Sequence, residues 1–315
     1  MLLSSQIFNV PTWLHENCKK LDSMLEAQRL PHTILFCGNA GIGKSEVATV
    51  LSKVLLCSSD NHLPCDNCKS CKLFDQHTHG DFLYVSHEEP RTIIGIDQVR
   101  TAIEFANKTS SFSYRKVVLI NPAESMQRNA SNAILKFLEE PPENTILLLV
   151  SNREWALPAT VLSRCSRLVF HSPDPETAYH WLSERVPNAC EFSKTTALSL
   201  RQPLKALDLI KSNEFDRLMT VLSTSNPQSV LSIDHLRSLS EERNPDKLFL
   251  EYLCVQLEKF LKQVPVTFRN GPANKSLFEC QRQLRQIIVN IEEGVALNVN
   301  LNFTYFVNKL IECME

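Results

Sequence analysis

The sequence predicts an α/β domain with a parallel sheet, followed by two smaller helical domains. Over the first 170 residues, short apolar runs alternate with segments that have helical periodicity. Strands without polar positions are typical of a parallel sheet that helices cover on both faces. Strand signals stop after 172–175, and the pattern is wholly helical from about residue 213 onward. We therefore place the predicted domains at 1–171, 172–212 and 213–315.

The elements of the first domain follow in a regular order. A helix ending at Leu56 is predicted after the first strand, and a second helix at 97–107, where apolar residues recur every three or four positions. In the last domain, apolar stripes at helical spacing run through 248–264, 277–291 and 302–314. The five predicted strands are 32–37, 82–85, 116–120, 146–150 and 168–170.

Composition argues against several classes of protein. The chain has 33 basic and 35 acidic side chains, a net charge of -2, so bulk charge alone predicts no binding to nucleic acid or to an acidic membrane. Its longest aliphatic run, 146–150, is far shorter than the roughly 20 residues that span a bilayer. The 11 cysteines, an odd number, and a start without a signal-like segment predict a cytoplasmic protein in a reducing compartment.

A glycine-rich loop follows the first predicted strand. Three of the 7 glycines lie between residues 38 and 43, and 38–45, GNAGIGKS, matches the phosphate-loop pattern G-x-x-x-x-G-K-[ST]. Such glycines allow backbone N–H groups to surround phosphate oxygens, and the following helix adds partial positive charge. The alternative is a loop that keeps this shape without a ligand. The candidate ligands of a nucleotide and Mg²⁺ are Gly38, Gly41, Gly43, Lys44 and Ser45.

The strand at 116–120 lacks the acidic residues that a phosphate-loop ATPase needs at this point. It is followed by Asn121, Pro122, Ala123 and Glu124, where an ATPase carries a carboxylate for Mg²⁺ and a glutamate for the attacking water. Asn, Pro and Glu at this spacing favour a capping box at the start of a helix. Glu124 is the alternative acid, three residues late. We expect hydrolysis to be lost or very slow.

Four cysteines are concentrated within 15 residues, in the pattern Cys-x7-Cys-x2-Cys-x2-Cys. Thiolates at this spacing favour tetrahedral Zn²⁺ in a closed structural site. The alternatives are free thiols, or replacement of one ligand by His62, His77 or His79. The other seven cysteines are scattered and are predicted to be small core residues. The predicted zinc ligands are Cys57, Cys65, Cys68 and Cys71.

Five motifs follow one another between residues 25 and 170. They are LPHTILFCGNAGIGKS at 30–45, the four-cysteine insertion, IGIDQVR at 94–100, SNAILKFLEEPP at 131–142 and LPATVLSRC at 157–165. In order and spacing they resemble those of the AAA+ clamp-loader subunits of bacterial DNA polymerase III. The resemblance implies an AAA+ core with a zinc-binding insertion, a helical lid domain at 172–212 and an all-α collar domain at 213–315.

The resemblance assigns a role to Arg164, between Ser163 and Cys165. In that family the arginine of this motif reaches the ATP of a neighbouring subunit, where its planar, permanently charged guanidinium stabilises the γ-phosphate transition state. The family's motor subunits, gamma and tau, carry an Asp-Glu pair where this chain has Asn121 and Pro122. The absence of this acidic pair implies a subunit that binds ATP with Mg²⁺ but does not hydrolyse the ATP.

The implied partners are the gamma or tau subunits and delta, with the sliding clamp and primed DNA reached through the assembly. The chain would belong to a DNA polymerase holoenzyme, a nucleotidyltransferase, without polymerase activity of its own. The motor subunits also carry a lid-domain arginine, but the alignment at 200–207 is ambiguous, and neither Arg201 nor Lys205 is given a role.

The segment 131–142 has a structural interpretation beside the functional one. Four apolar residues are predicted to share one buried face of a helix that Pro141 ends: Ala130, Ile134, Phe137 and Leu138. The exposed candidates for contact with another subunit or DNA are Asn132, Lys136, Glu139 and Glu140.

Two other functions compete with this interpretation. The first is an active clamp-loading ATPase, similar to gamma and tau, in which Glu124 or another acid replaces the missing pair. The second is a zinc-dependent nucleic-acid module around residues 50–80. Its bases, Lys53, Lys69 and Lys72, are offset by nearby acids, which disfavours it.

Overall fold

The structure is a computed structural model, and it divides the chain into two compact units, Met1–Trp181 and Leu182–Glu315. The predicted divisions at residues 171 and 212 remain predictions. The residues that the structure describes are 11–59, 64–87, 93–187, 202–211, the positions 250, 253, 254, 257 and 261, 272–292 and 298–314.

The first unit contains a five-stranded sheet in the order β2-β3-β4-β1-β5, in which all neighbouring strands are parallel. This confirms the predicted parallel α/β fold. All strands therefore end at the same edge of the sheet, where the connecting loops meet. The strands are β1 (Thr33–Cys37), β2 (Phe82–Val85), β3 (Lys116–Ile120), β4 (Thr145–Ser151) and β5 (Ser166–Val169).

The fifth strand starts two residues earlier than the apolar run predicted. It lies at the edge of the sheet and pairs with β1 from Ser166 to Val169. Leu168 is buried there, whereas Arg167 and Val169 are exposed. An edge strand has polar positions because one side faces solvent, so an apolar run underestimates its length.

Both units contain helices, and those of the first unit connect the strands of the sheet. In the first unit they are His15–Glu26, Lys44–Leu56, Lys69–Asp75, Ile96–Asn107, Arg128–Ala133, Leu135–Glu139, Ala159–Leu162 and Pro175–Arg185, of which the last extends into the second unit. Short 3-10 helices cover Thr12–Leu14, Ala123–Ser125 and Glu154–Ala156. The described helices of the second unit include Pro203–Lys211, Pro272–Glu292 and Val299–Met314.

Apolar side chains fill both faces of the sheet. Along β1, Ile34 and Phe36 belong to one core cluster, and Leu35 and Cys37 belong to the other. Alternation of this kind follows from the two-residue repeat of a strand. Because β1 is buried on both faces, packing holds its end in place, and with it the start of the glycine-rich loop at the edge of the sheet.

Most of the described residues of the second unit are helical, and none of them lies in a strand. The predicted stripe at 248–264 is confirmed at Leu250, Leu253, Leu257 and Leu261, which are helical and buried. The other two stripes lie on the helices Pro272–Glu292 and Val299–Met314, which pack against each other. Among the described residues, no helix has the length and apolar character needed to span a bilayer.

Candidate functional site: a phosphate loop, an exposed arginine and a four-cysteine cluster

The phosphate loop needs its glycines for backbone geometry. Gly41 and Gly43 have φ angles of 65° and 106°, which glycine adopts without the steric cost of a Cβ atom. Gly38, with φ of 147°, lies so close to β5 that a Cβ atom would overlap the carbonyl oxygen of Phe170. The predicted glycine-rich turn between β1 and the helix Lys44–Leu56 is confirmed.

Lys44 is held by polar groups of its own chain. Its ammonium donates to the carbonyl oxygen of Asn39 at 2.5 Å and to Oδ1 of Asn152 at 2.9 Å. The side chain is 2% exposed, and burial lowers its pKa to about 8 although Glu124 and Glu46 favour the charged form. The lysine is therefore satisfied within the protein and titrates close to neutral pH.

Other contacts fix the loop from both sides. The indole N–H of Trp13 donates to the carbonyl oxygen of Ile42 at 2.9 Å. The Asn39 amide donates to Ser172 Oγ at 2.8 Å. Ser45 Oγ donates to Glu46 Oε2 at 3.1 Å, so the hydroxyl predicted to ligate Mg²⁺ is paired with its neighbour.

The capping box predicted from Asn121, Pro122 and Glu124 is wrong. The helix there is the three-residue 3-10 helix Ala123–Ser125, and no side chain caps it. Asn121 Nδ2 instead donates to Tyr84 Oη at 3.1 Å. Glu124 turns toward the next strand, and its Oε1 accepts the backbone N–H of Asn152 at 3.0 Å. A tertiary hydrogen bond across the sheet edge has replaced the local one.

Asn152 is the residue that sequence reasoning missed. The register pairs Cys37 of β1 with Ser151 of β4, so Asn152 follows β4 beside the loop that follows β1. It accepts from Lys44 through its side chain and donates to Glu124 through its backbone. A polar residue directly after an apolar strand was the available signal.

Glu124 has one oxygen that is still available. Its Oε2 is buried and has no hydrogen-bond partner among the described residues. An unpaired buried carboxylate oxygen is costly, which makes the position notable. It places near Lys44 the acidic group that the sequence offered only as the alternative acid, three residues after the end of the strand.

Arg164 follows the short helix Ala159–Leu162 and is partly exposed, at 37% of its side chain. Its Nε and one terminal nitrogen contact Glu139 Oε1 at 2.9 and 2.7 Å. The other terminal nitrogen donates to Thr160 O at 3.0 Å and to Ser163 Oγ at 3.2 Å. Cys165 is partly buried, and burial raises its pKa to about 11.

The segment around Glu139 has the predicted division of faces. The helix is interrupted at Ile134 and forms the two shorter helices Arg128–Ala133 and Leu135–Glu139. The four predicted core residues, Ala130, Ile134, Phe137 and Leu138, are buried, at 5% exposure or less. Of the exposed candidates, Glu139 is the partner of Arg164, whereas Glu140 is exposed one residue further along.

The four predicted cysteines converge at one point. Their Sγ atoms all lie within 4.8 Å of one another, and the cluster can hold a metal ion. Zinc–thiolate bonds of about 2.3 Å in a tetrahedron separate the sulfurs by about 3.8 Å, so the cluster fits this geometry. His79 does not replace a ligand, because its Nε2 contacts Ser70 Oγ at 2.7 Å. His77 is exposed, and His62 lies outside the described residues.

Backbone N–H groups point at these sulfurs. Cys65 and Ser59 donate to Cys57 Sγ at 3.4 Å, and Cys68 and Cys71 donate to the preceding cysteine of the cluster at 3.3 Å. Burial raises the pKa of Cys68, but hydrogen bonds from Ser58 and from the backbone of Cys71 lower it to about 5. Such bonds favour negative sulfur, the form that ligates metal, at Cys68, whereas burial raises the pKa of Cys57 and of Cys71.

A buried hydrogen-bond network supports the cysteine cluster. Ser70, on the helix Lys69–Asp75, donates to Leu56 O at 2.6 Å and contacts His79 Nε2. The carboxylate of Asp81 accepts the backbone N–H groups of 111, 112 and 113 at 2.6 to 2.8 Å, and these bonds lower its pKa although burial opposes them. The network joins the end of the phosphate-loop helix to the cysteine cluster.

The remaining cysteines are consistent with a packing role where they are described. Cys18, Cys37, Cys254 and Cys280 are buried. Burial raises the pKa of Cys18 to about 11 and that of Cys37 to about 12, so these thiols are neutral at physiological pH. Cys190 and the side chain of Cys313 lie outside the described residues.

Comparison with known proteins identifies the family. The family model described as "DNA polymerase III, delta subunit" matches residues 13–174. The delta′ subunit of DNA polymerase III from Escherichia coli is 33% identical over 257 residues, which are 80% of this chain and 76% of that protein. The chain belongs to the DNA polymerase III delta′ family.

The chain is also similar to several other proteins. The delta′ subunit of Pseudomonas aeruginosa is 39% identical over 178 residues, which are 56% of this chain and 54% of that protein. This alignment spans about half the length of the relative. The chain is also similar to the tau/gamma subunit of Haemophilus influenzae, at 28% identity over 84% of this chain and 38% of that protein. A solved gamma subunit-related protein of Thermotoga maritima has a TM-score of 0.47 at 19% identity, over 94% of this chain and 99% of that chain.

Proposed function

We propose that the chain is a clamp-loader subunit that helps to load the sliding clamp onto primed DNA, and that it supplies Arg164 to the ATP of a neighbouring subunit. Its partners would be gamma or tau and delta, and the assembly would work in the cytoplasm. The core would be an AAA+ domain, with residues 172–212 as a lid and 213–315 as a collar. Membership of the delta′ family supports this role.

One observation carries the proposal that the chain is not the motor. The phosphate loop is intact, yet β3 is followed by Asn121 and Pro122, which have no carboxylate for Mg²⁺. The loop would bind ATP and Mg²⁺ through Gly38, Gly41, Gly43, Lys44 and Ser45 without hydrolysis. Arg164 is partly exposed and would act in the site of another subunit.

The cysteine cluster would hold a structural Zn²⁺ ion through Cys57, Cys65, Cys68 and Cys71. All four positions are taken by thiolates, which leaves no open coordination site for catalysis. A nucleic-acid role for this module has less support, because Lys53 forms ion pairs with Asp66 at 2.6 Å and with Asp75 at 2.8 Å. The ion would fix the chain between Cys57 and the helix Lys69–Asp75.

The decisive experiment is ATP hydrolysis by a complex reconstituted with gamma-type motor subunits. Arg164→Ala is expected to lower the rate by at least an order of magnitude at the site it serves, since an arginine finger contributes about 10³-fold or more. The isolated wild-type chain is expected to be inactive. An unchanged rate with Arg164→Ala in an intact complex would refute the trans role.

A second candidate function has one observation in its favour. The free oxygen of Glu124 lies in the network that includes Lys44 and Asn152, so this carboxylate can take the place of the missing acidic pair. The chain would then be an active ATPase, similar to gamma and tau. DNA-stimulated hydrolysis by the chain alone, abolished by both Lys44→Ala and Glu124→Gln, would establish this function in place of the first.

A further inference from the structure

Arg164 already uses most of its hydrogen-bonding capacity within its own chain. A guanidinium has five N–H groups. Two of them are directed at Glu139 Oε1, one at Thr160 O and one at Ser163 Oγ. This leaves a single N–H without a contact among those described. A phosphate that accepts two parallel N–H bonds cannot be bound in this arrangement.

The two contacts of Arg164 with Glu139 are easier to break than its contacts with Thr160 and Ser163. Thr160 and Ser163 are within four residues of Arg164 in the chain and hold the guanidinium against the helix Ala159–Leu162. Glu139 comes from a different helix, Leu135–Glu139, and its side chain is 52% exposed. An exposed ion pair of this kind is weak, because water and salt screen both charges.

We propose that Glu139 is a positioning residue that keeps Arg164 in a parked orientation until a neighbouring subunit presents its nucleotide. This inference rests on the proposed function, because it requires that Arg164 acts in trans. The carboxylate of Glu139 and the γ-phosphate compete for the same edge of the guanidinium. In an interface that excludes water, the more highly charged phosphate binds the arginine more strongly.

The proposal explains why a weak contact suits this position. A free arginine would sample many rotamers, and an arginine in a buried pair would not leave its partner. The half-exposed pair holds one orientation and still allows release. Glu139 thus weakens the binding of Arg164 to the neighbour's nucleotide only slightly, and the charge of that nucleotide is sufficient to break the ion pair.

The test uses the reconstituted complex with wild type, Glu139→Gln, Arg164→Ala and the double variant. Glu140→Gln is the matched control, since this substitution removes a negative charge one residue away from Glu139. Glu139→Gln is expected to raise kcat/KM for ATP about two- to fivefold, the range for an exposed pair, with normal assembly by size-exclusion chromatography. Glu140→Gln should leave kcat/KM unchanged. In the Arg164→Ala background, Glu139→Gln should have no further effect.

Each outcome is decisive. A lower or unchanged kcat/KM in Glu139→Gln, while Arg164→Ala reduces the rate, overturns the parking role and leaves the trans role intact. A Glu139→Gln effect that persists in the Arg164→Ala background also overturns it, because the effect would then not act through the arginine. If Arg164→Ala itself leaves the rate unchanged, the proposed function fails, and the parking role fails with it.

Discussion

The phosphate loop and the cysteine cluster, joined by the helix Lys44–Leu56, satisfy their polar groups in opposite ways. At one end of this helix, the Lys44 ammonium, which would otherwise be available to a phosphate, donates hydrogen bonds to Asn39 and Asn152. Just beyond the other end, four sulfurs lie within 4.8 Å of one another, an arrangement that can hold a metal ion. The ammonium of Lys44 thus has partners within the chain, whereas the cluster would be completed by a cation.

The difference shows how the two ligands would contribute. A nucleotide would have to displace contacts that the loop already makes, so its binding would change function more than stability. A metal ion would neutralise the cluster and fix the chain around it, so its binding would be part of the folding free energy. The predictions below test this contrast.

The largest effect is expected from Cys65→Ser, which removes a ligand of the proposed zinc site. Loss of the ion would lower the free energy of unfolding by more than about 4 kcal/mol, because metal binding and folding are coupled. Zinc content and urea denaturation measure both consequences. The control is Cys165→Ala, a cysteine outside the cluster, which should keep one zinc ion per chain. Equal metal content in both variants would contradict the prediction.

A smaller effect is expected from Ser70→Ala, in the buried network behind the cluster. The substitution removes the hydrogen bonds of Ser70 to Leu56 O and His79 Nε2, which keep only the longer contacts with Ser113 Oγ at 3.0 and 3.4 Å. Two buried hydrogen bonds at about 0.5–1.5 kcal/mol each predict a loss of about 1–3 kcal/mol in the free energy of unfolding. The exposed Ser111→Ala is the control and should change stability little. Zinc content should stay the same. If Ser70→Ala released the zinc, the network rather than the ion would position the cysteines.

The smallest effect concerns nucleotide binding at the phosphate loop. Because burial lowers the pKa of Lys44 to about 8, its positive charge is present at pH 7 and mostly lost at pH 9. The affinity for ATP should therefore fall up to about 10-fold between these pH values, as measured by calorimetry. Lys44→Arg keeps its charge and should have a flat profile if it binds. A flat profile for the wild type would contradict the prediction.

Much of the first unit could be predicted because its signals are local. The strands at 82–85 and 116–120 were predicted at their observed bounds, since apolar and aromatic residues make up almost all of each. The cysteine cluster followed from spacing alone, because a short segment brings its own ligands together. The capping box failed for the opposite reason. The sequence offered Glu124 a local partner, but its carboxylate accepts a backbone N–H 28 residues away.

The sequence by itself determined the parallel α/β fold, the glycine geometry of the phosphate loop and the convergence of the four cysteines. Each depends on residue type and on spacing within a short segment. Only the tertiary structure decided that Asn152 contacts Lys44 and that Glu139 holds Arg164. These pairs are 108 and 25 residues apart. Their meeting depends on strand order and helix packing, which the periodicity of the chain does not specify.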